Sequence, residues 1–254
     1  MRPWLAIVCG ISLLAVALIV EAPASLLELY LAAIAGGRIH VANTSGTLWR
    51  GAGELVLADG DRRRIAWRLD PWALLGGEVR GSLSGEGTAP DARFAVDGSK
   101  LELDGFALTM PIAELQRAAG VSSTLASAGG EIAIRVDRLV RDTGAIDVQL
   151  ALQWRDASIA GPGAYPRIAL GEIQAELSGR GREVSGPVTN RGGEVEIDGR
   201  VTASAAGRQR IEASIRPRPG IDKGHAEAIV AVLSAIGTPD AQGGYRIAWA
   251  GGGR

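Results

Sequence analysis

Catalysis in this chain would have to be carried by very few residues. Its only histidines are His40 and His225, and neither has a second histidine or a cysteine at metal-ligand spacing. Its single cysteine, Cys9, lies inside an apolar run, where it reads as a buried filler. One cysteine excludes an intrachain disulfide and leaves no thiol elsewhere for nucleophilic chemistry. No serine occupies a G-x-S-x-G nucleophile elbow. Gly179-Arg180-Gly181 opens like a dinucleotide loop, but Val184 stands where the third glycine belongs. No Gly-Lys-Ser/Thr phosphate loop is present. His225, near a helix start, lacks the partners that acid–base work requires and reads as a surface residue. Carboxylates are plentiful, yet they alternate with apolar residues, as on the wetted face of a sheet. The expectation is a protein with no catalytic residue, no metal site and no cofactor, and hence no enzyme.

Charge points the same way. A net charge of −1 with dispersed Lys and Arg offers no footprint for nucleic acid. The one basic run, Arg62-Arg63-Arg64, follows Asp59-Gly60-Asp61 and reads as a solvated turn.

Two patterns must position whatever the chain presents. The first is Pro3 to Val20, which holds no charge. Eighteen helical residues span about 27 Å, close to the hydrocarbon thickness of a bilayer. Arg2 precedes the run and Glu21 follows it, which places the N-terminus in the cytoplasm and translocates the rest. Ala22-Pro23-Ala24 also resembles a signal-cleavage site. The length of the run, and its continuation through Leu26, Leu27, Leu29, Leu31 and Ile34, favour an uncleaved anchor. The expected organisation is a transmembrane anchor at 1–21, a juxtamembrane helix at 22–37 ended by Gly36-Gly37, and a periplasmic β-rich domain at 38–254.

The second pattern is a period of two. Ile132, Ile134 and Val136 alternate with charged or small residues, as do Ile146 through Trp154, Val195 through Val201, and Ile211 through Ile215. Tyr245, Ile247 and Trp249 close the series. With 36 glycines separating such runs, the chain reads as mainly β. The expectation is a twisted or curved antiparallel sheet, open or half-rolled, with two or three short helices. Pro111 begins one helix, carrying Ile112 and Leu115. Asp222 caps another, carrying Ile229, Leu233 and Ile236 and ended by Gly237. Small polar residues at 121–128 mark a soft internal boundary between two blocks of strands.

Trp49, Trp67 and Trp72 lie within 24 positions of one another. Packed into a local core, they are large rings admitted by neighbouring glycines. The alternative is a ligand or partner surface.

The same residues carry a resemblance. Gly46-Thr47-Leu48-Trp49-Arg50-Gly51, then Trp67-x-Leu69-x-Pro71 with Leu74, Leu75 and Gly77, resembles the start of the type II secretion system protein N family. Leu150–Gly163, with Trp154 and Gly161-Pro162-Gly163, is similar to its middle. Leu233, Gly237, Pro239 and Asp240, with Gly243-Gly244-Tyr245, resemble its last helix-to-strand turn. The resemblance implies a bitopic inner-membrane protein of a Gram-negative bacterium, an accessory part of the machine that exports folded periplasmic proteins. Its partners would be other inner-membrane or periplasmic components of that machine. No catalytic residues come with it. Gly46, Thr47, Leu48, Trp49, Gly51, Trp67, Pro71, Trp154, Gly161, Gly163, Gly237, Asp240 and Tyr245 would be structural or partner-contact positions. A lipid-handling protein with an acyl groove on a curved sheet is the other function the strand pattern fits.

Overall fold

The computed structural model describes residues 21–25, 39–57, 60, 62–85, 88–89, 92–118, 127–160, 167–240 and 243–252. The expected anchor at 1–21 and the helix at 22–37 fall almost entirely outside these residues. So do most of the 121–128 boundary and both Gly161 and Gly163. Among the described residues no helix is long and apolar enough to cross a membrane. The chain divides into two compact units, Met1–Glu86 and Gly87–Arg254.

In the first unit four strands form an antiparallel meander: β1 (Ile39–Gly46), β2 (Arg50–Leu57), β3 (Arg62–Leu69) and β4 (Glu78–Gly85). Arg62-Arg63-Arg64 does not form the expected turn. It opens β3, and Arg62 meets Glu54 on β2 at 3.1 Å. The turn lies just before it, around Gly60 in the left-handed region. Val41, Trp67 and Ala24 form the core of this unit, backed by Leu55, Ile65, Leu69 and Leu83.

The second unit continues the same logic with longer strands: β5 (Thr88–Ala89), β6 (Ala92–Asp97), β7 (Lys100–Pro111), β8 (Ser127–Arg141), β9 (Ile146–Ala160), β10 (Arg167–Gly181), β11 (Glu183–Arg191), β12 (Val195–Ser204), β13 (Arg208–Pro217), β14 (Thr238–Pro239) and β15 (Tyr245–Gly252). From β6 through β13 each strand pairs antiparallel with the next, and β15 closes on β13. The alternating residues face as their period demands: Ile132, Val136, Ile146, Val148, Val195 and Ile197 are buried.

Two helices cover this apolar face. Helix α1 (Ile112–Ala118) follows Pro111 and seats Ile112 against Met110 and Ile132. Helix α2 (Lys223–Ile236) starts at Asp222, whose carboxylate accepts from the Gly224 and His225 amides at 3.1 and 3.3 Å. Its Ile229 is fully buried, and with Leu233 it packs on Ala157, Ile168, Leu170, Val195 and Ile197. A third cluster, of Ile146, Val148, Leu177, Val184 and Ala205, closes the other end. There Arg141, ending β8, reaches the carbonyl of Ala205 in the β12–β13 turn at 3.1 Å. The fold is the expected mainly-β one: an open antiparallel sheet with few helices, bent at this end so that Arg141 reaches Ala205.

A line of irregularities runs through its middle. Registers shift between Gly129 and Glu131 on β8 and around Gly171 on β10. Gly130, Asp156 and Gly171 all have positive φ there. Beyond Asp156 the inward phase of β9 passes from Trp154 to Ala157 and Ile159. Such bulges re-aim side chains and tighten the bend.

Candidate partner surfaces

The motif residues of the first unit build one turn assembly. Gly46, with φ of 88°, ends β1, and Thr47 bonds with Arg50 in both directions, at 2.9 and 3.2 Å. The carbonyl of Leu48 accepts the indole N–H of Trp67 at 3.0 Å. Trp67 is 5 % exposed and lies directly against Gly51, whose bare Cα makes room for its ring. A Cβ at Gly51 would run into that ring and lie 2.8 Å from the Ser45 carbonyl oxygen. Trp49 is half-buried, and its carbonyl holds the Leu69 amide at 2.7 Å. Residues Ala22 to Ala24 dock on the same turn. Pro23 bridges Thr47, and the Leu48 amide donates to the Ala22 carbonyl at 2.7 Å.

Beyond β3 the packing turns inside out. The Asp70 carboxylate accepts the Trp72 amide at 3.0 Å, and the Asp70 amide donates to Arg80. A single 3-10 turn (Ala73–Gly76) follows and ends at Gly77 with φ of 80°. Pro71 is exposed, Trp72 is 77 % exposed and Leu75 82 %. The expected core of three tryptophans therefore holds for Trp67 and not for Trp72. A tryptophan just after a proline in a turn is directed by the turn, and periodicity carries no information there.

In the second unit the described motif residues are also local staples. Trp154 pairs with Ile132 and Ile173, packs between two core clusters, and donates its indole N–H to Gly129 at 3.0 Å. Gly237 ends α2 with its amide on Leu233 at 2.8 Å. A Cβ there would lie 3.0 Å from the carbonyl oxygen of Arg246. Asp240 accepts from the Gly244 amide at 2.8 Å and from the Ser214 hydroxyl at 2.5 Å. Tyr245 pairs with Ile215 and Pro239 and backs the α2 cluster. Within each unit the described motif residues thus hold turns and local packing.

Sequence reading missed Asn190. Its amide donates to the carbonyls of Leu170 at 2.6 Å and Val195 at 2.9 Å, and its oxygen accepts the Ile197 amide at 2.8 Å. This half-buried side chain stitches β10, β11 and β12 together. His225 is also tighter than a surface residue. It is half-buried, with Nε2 3.0 Å from Glu194 Oε1 in an orientation that is not that of a hydrogen bond.

The opposite, polar face of the second unit carries a hollow of about 580 Å³ lined by Glu183, Arg200, Thr202, Ser204, Arg208 and Arg210, among others. Arg210 and Glu212 of its lining stand 3.5 Å apart, and other ion pairs lie elsewhere on the unit. A hydrogen bond from Arg216 holds the Glu196 carboxyl below the usual carboxylate range. Asp147 is held low in the same way, first by Arg180 and then by Arg138. Among the described residues no cluster of three or more His, Cys, Asp or Glu is placed to hold a metal ion.

The model of the family described as type II secretion system protein N matches residues 37–248. The chain belongs to that family. Searches of curated proteins and of solved structures return no match. Membership makes the protein a component of type II secretion, and implies a place in the cell envelope and interaction with other parts of that machine. The matched span opens before β1 and ends within β15, so it takes in every motif residue of both units.

Proposed function

We propose that this member of the type II secretion system protein N family is a non-enzymatic accessory component, held in the inner membrane by residues 1–21. Its N-terminus is cytoplasmic and both β units are periplasmic. The observation that carries the reading is the family match over 37–248. The charge-free run Pro3–Val20 between Arg2 and Glu21 supports the anchor.

Support for a scaffold comes from how the side chains are used. The motif residues hold turns, and the apolar face of the second unit is taken up by α1, α2 and the Arg141–Ala205 closure. An acyl groove would need that face free. What is left for partners is backbone edge and polar face. β14 covers β15 only at Tyr245 and Arg246, so Ile247–Gly252 has no second strand beside it among the described residues. Such an edge can take a strand from a partner.

Deleting the protein should lower export of a secreted substrate or the level of other inner-membrane secretion components. Normal export with normal assembly would overturn the reading. Sequencing of the mature N-terminus tests the anchor separately, and a start at Ser25 would remove it.

A further inference from the structure

Seven consecutive residues, Pro71 to Gly77, carry no charge and stand at one end of the first unit. Their backbone is fixed. The Leu75 amide bonds to Trp72 at 3.2 Å and the Gly77 amide to Leu74 at 3.0 Å, while Asp70 holds the entry. The loop is thus built to keep Trp72, Leu74 and Leu75 outward, at 77, 43 and 82 % exposure. Val79, just after it, is 41 % exposed. Ordered apolar side chains facing water cost free energy that burial would recover, so such a patch marks a contact surface.

The chain's path identifies the contact. Ala22 and Ala24 are pinned to the Gly46–Leu48 turn, and the Leu69 amide ties the entry of the 71–77 loop to the next residue, Trp49. The loop and the point where the chain arrives from Glu21 therefore share one turn assembly. Val20, the last residue of the charge-free run, is two residues from Ala22, a reach of about 7 Å. A bilayer crossed by that run lies directly against this end of the unit. Trp and Leu without charge suit the interfacial region, where an aromatic ring lies at headgroup depth. Asp70 and Glu78 border the loop, Arg80 is paired with Glu78 at 2.7 Å, and Arg68 is exposed, so the apolar side chains and not charge make the contact.

We propose that Trp72, Leu74 and Leu75 insert into the periplasmic leaflet of the membrane that residues 1–21 cross. The loop is a second, shallow lipid contact that fixes the orientation of the first unit on the bilayer. This inference rests on the anchor reading above.

The test uses the full chain in vesicles of phosphatidylethanolamine and phosphatidylglycerol. An environment-sensitive fluorophore is placed at Leu75→Cys in a Cys9→Ala background, with Arg64→Cys, toward the other end of β3, as reference. The 75 probe should shift to the blue and be quenched several-fold more than the 64 probe by lipids carrying a nitroxide near the headgroup. Equal, water-like behaviour of both probes, in a chain that resists alkaline extraction, overturns the loop contact and leaves the anchor standing. Release of the chain by alkaline extraction overturns both. Burial of the 75 probe only in native membranes that contain other secretion components assigns the patch to a protein and overturns the lipid contact. A Trp72→Ser/Leu75→Ser chain should keep its melting temperature while losing its fixed orientation. A large fall in melting temperature would make the loop part of the core instead.

Discussion

Arg141 donates its Nε–H to the carbonyl oxygen of Ala205 across 64 positions of sequence, at 3.1 Å. Three strands, β9, β10 and β11, lie between the two strands these residues terminate. Laid flat at about 4.8 Å per strand, β8 and β12 would stand about 19 Å apart. The contact therefore measures how far this unit curls, and it caps the cluster of Val148, Leu177, Val184 and Ala205.

Removing the donor should loosen that end. Arg141→Ala is expected to cost about 1 kcal/mol, as for a hydrogen bond that water partly replaces. Arg141→Met keeps most of the aliphatic stem. If the hydrogen bond holds the curl, urea midpoints of the two variants fall together. A midpoint for Arg141→Met equal to that of the natural chain would show that cluster packing alone holds it.

Trp67 and Gly51 form a lock in the first unit. Trp67→Ala should cost about 3–5 kcal/mol, the usual range for a buried large aromatic. Trp67→Phe keeps a ring but leaves the Leu48 carbonyl without its donor, at about 1–3 kcal/mol. Gly51→Ala drives a methyl into the indole and should destabilise as well. Combined with Trp67→Ala, which removes the obstructing ring, Gly51→Ala should cost less than alone. Calorimetry on the four chains checks this, and strict additivity would mean that the two residues do not press on each other.

How much of this was readable beforehand depends on what period two encodes. It encodes which side of a strand is wet, so the alternation points Ile132, Val136, Val148 and Ile197 inward, and they are buried. The helix over 223–236 was also legible, because Asp222 and Gly237 are terminal signals with a local mechanism. Trp72 was not, because its direction is set by the Asp70 turn. The bulges at Gly130, Asp156 and Gly171 reset the phase through backbone geometry, and an aspartate with φ of 49° looks like any other polar residue in a strand. Arg141 and Ala205 could not be paired from sequence, since their meeting depends on the curl of five strands. Structural and partner-contact roles are equally indistinguishable in sequence, since glycines and tryptophans that staple turns look the same there as those that bind.

Asp147 offers a pH-dependent test. Its carboxylate accepts from Arg180 Nε at 3.0 Å and Nη2 at 2.5 Å, with Arg138 at 3.5 Å, and its folded pKa is lowered. An unfolded aspartate titrates at about 3.9. A lowered folded value contributes stability that is present above the unfolded one and is lost as pH falls through the folded one. The melting-temperature gap between the natural chain and Asp147→Asn should therefore be widest near neutrality. It should close as pH falls below about 4. A gap that stays constant to the acid limit would assign the effect to packing.

The outer edge of β15 is where a partner strand would find backbone groups to pair with. Trp249 there is 52 % exposed and its cross-strand neighbour Ile211 39 %, so the edge also carries apolar side chains for an added strand to cover. A photo-crosslinking residue at Trp249 should capture a secretion component in cells, and the product should vanish in a strain lacking the rest of the machine. The same residue at Asp137, exposed in mid-strand on β8, should capture much less, since β8 is paired on both sides with β7 and β9. Equal capture at both positions would mean that contact is made through the polar face. Capture at neither would leave the edge of this unit without a role in assembly.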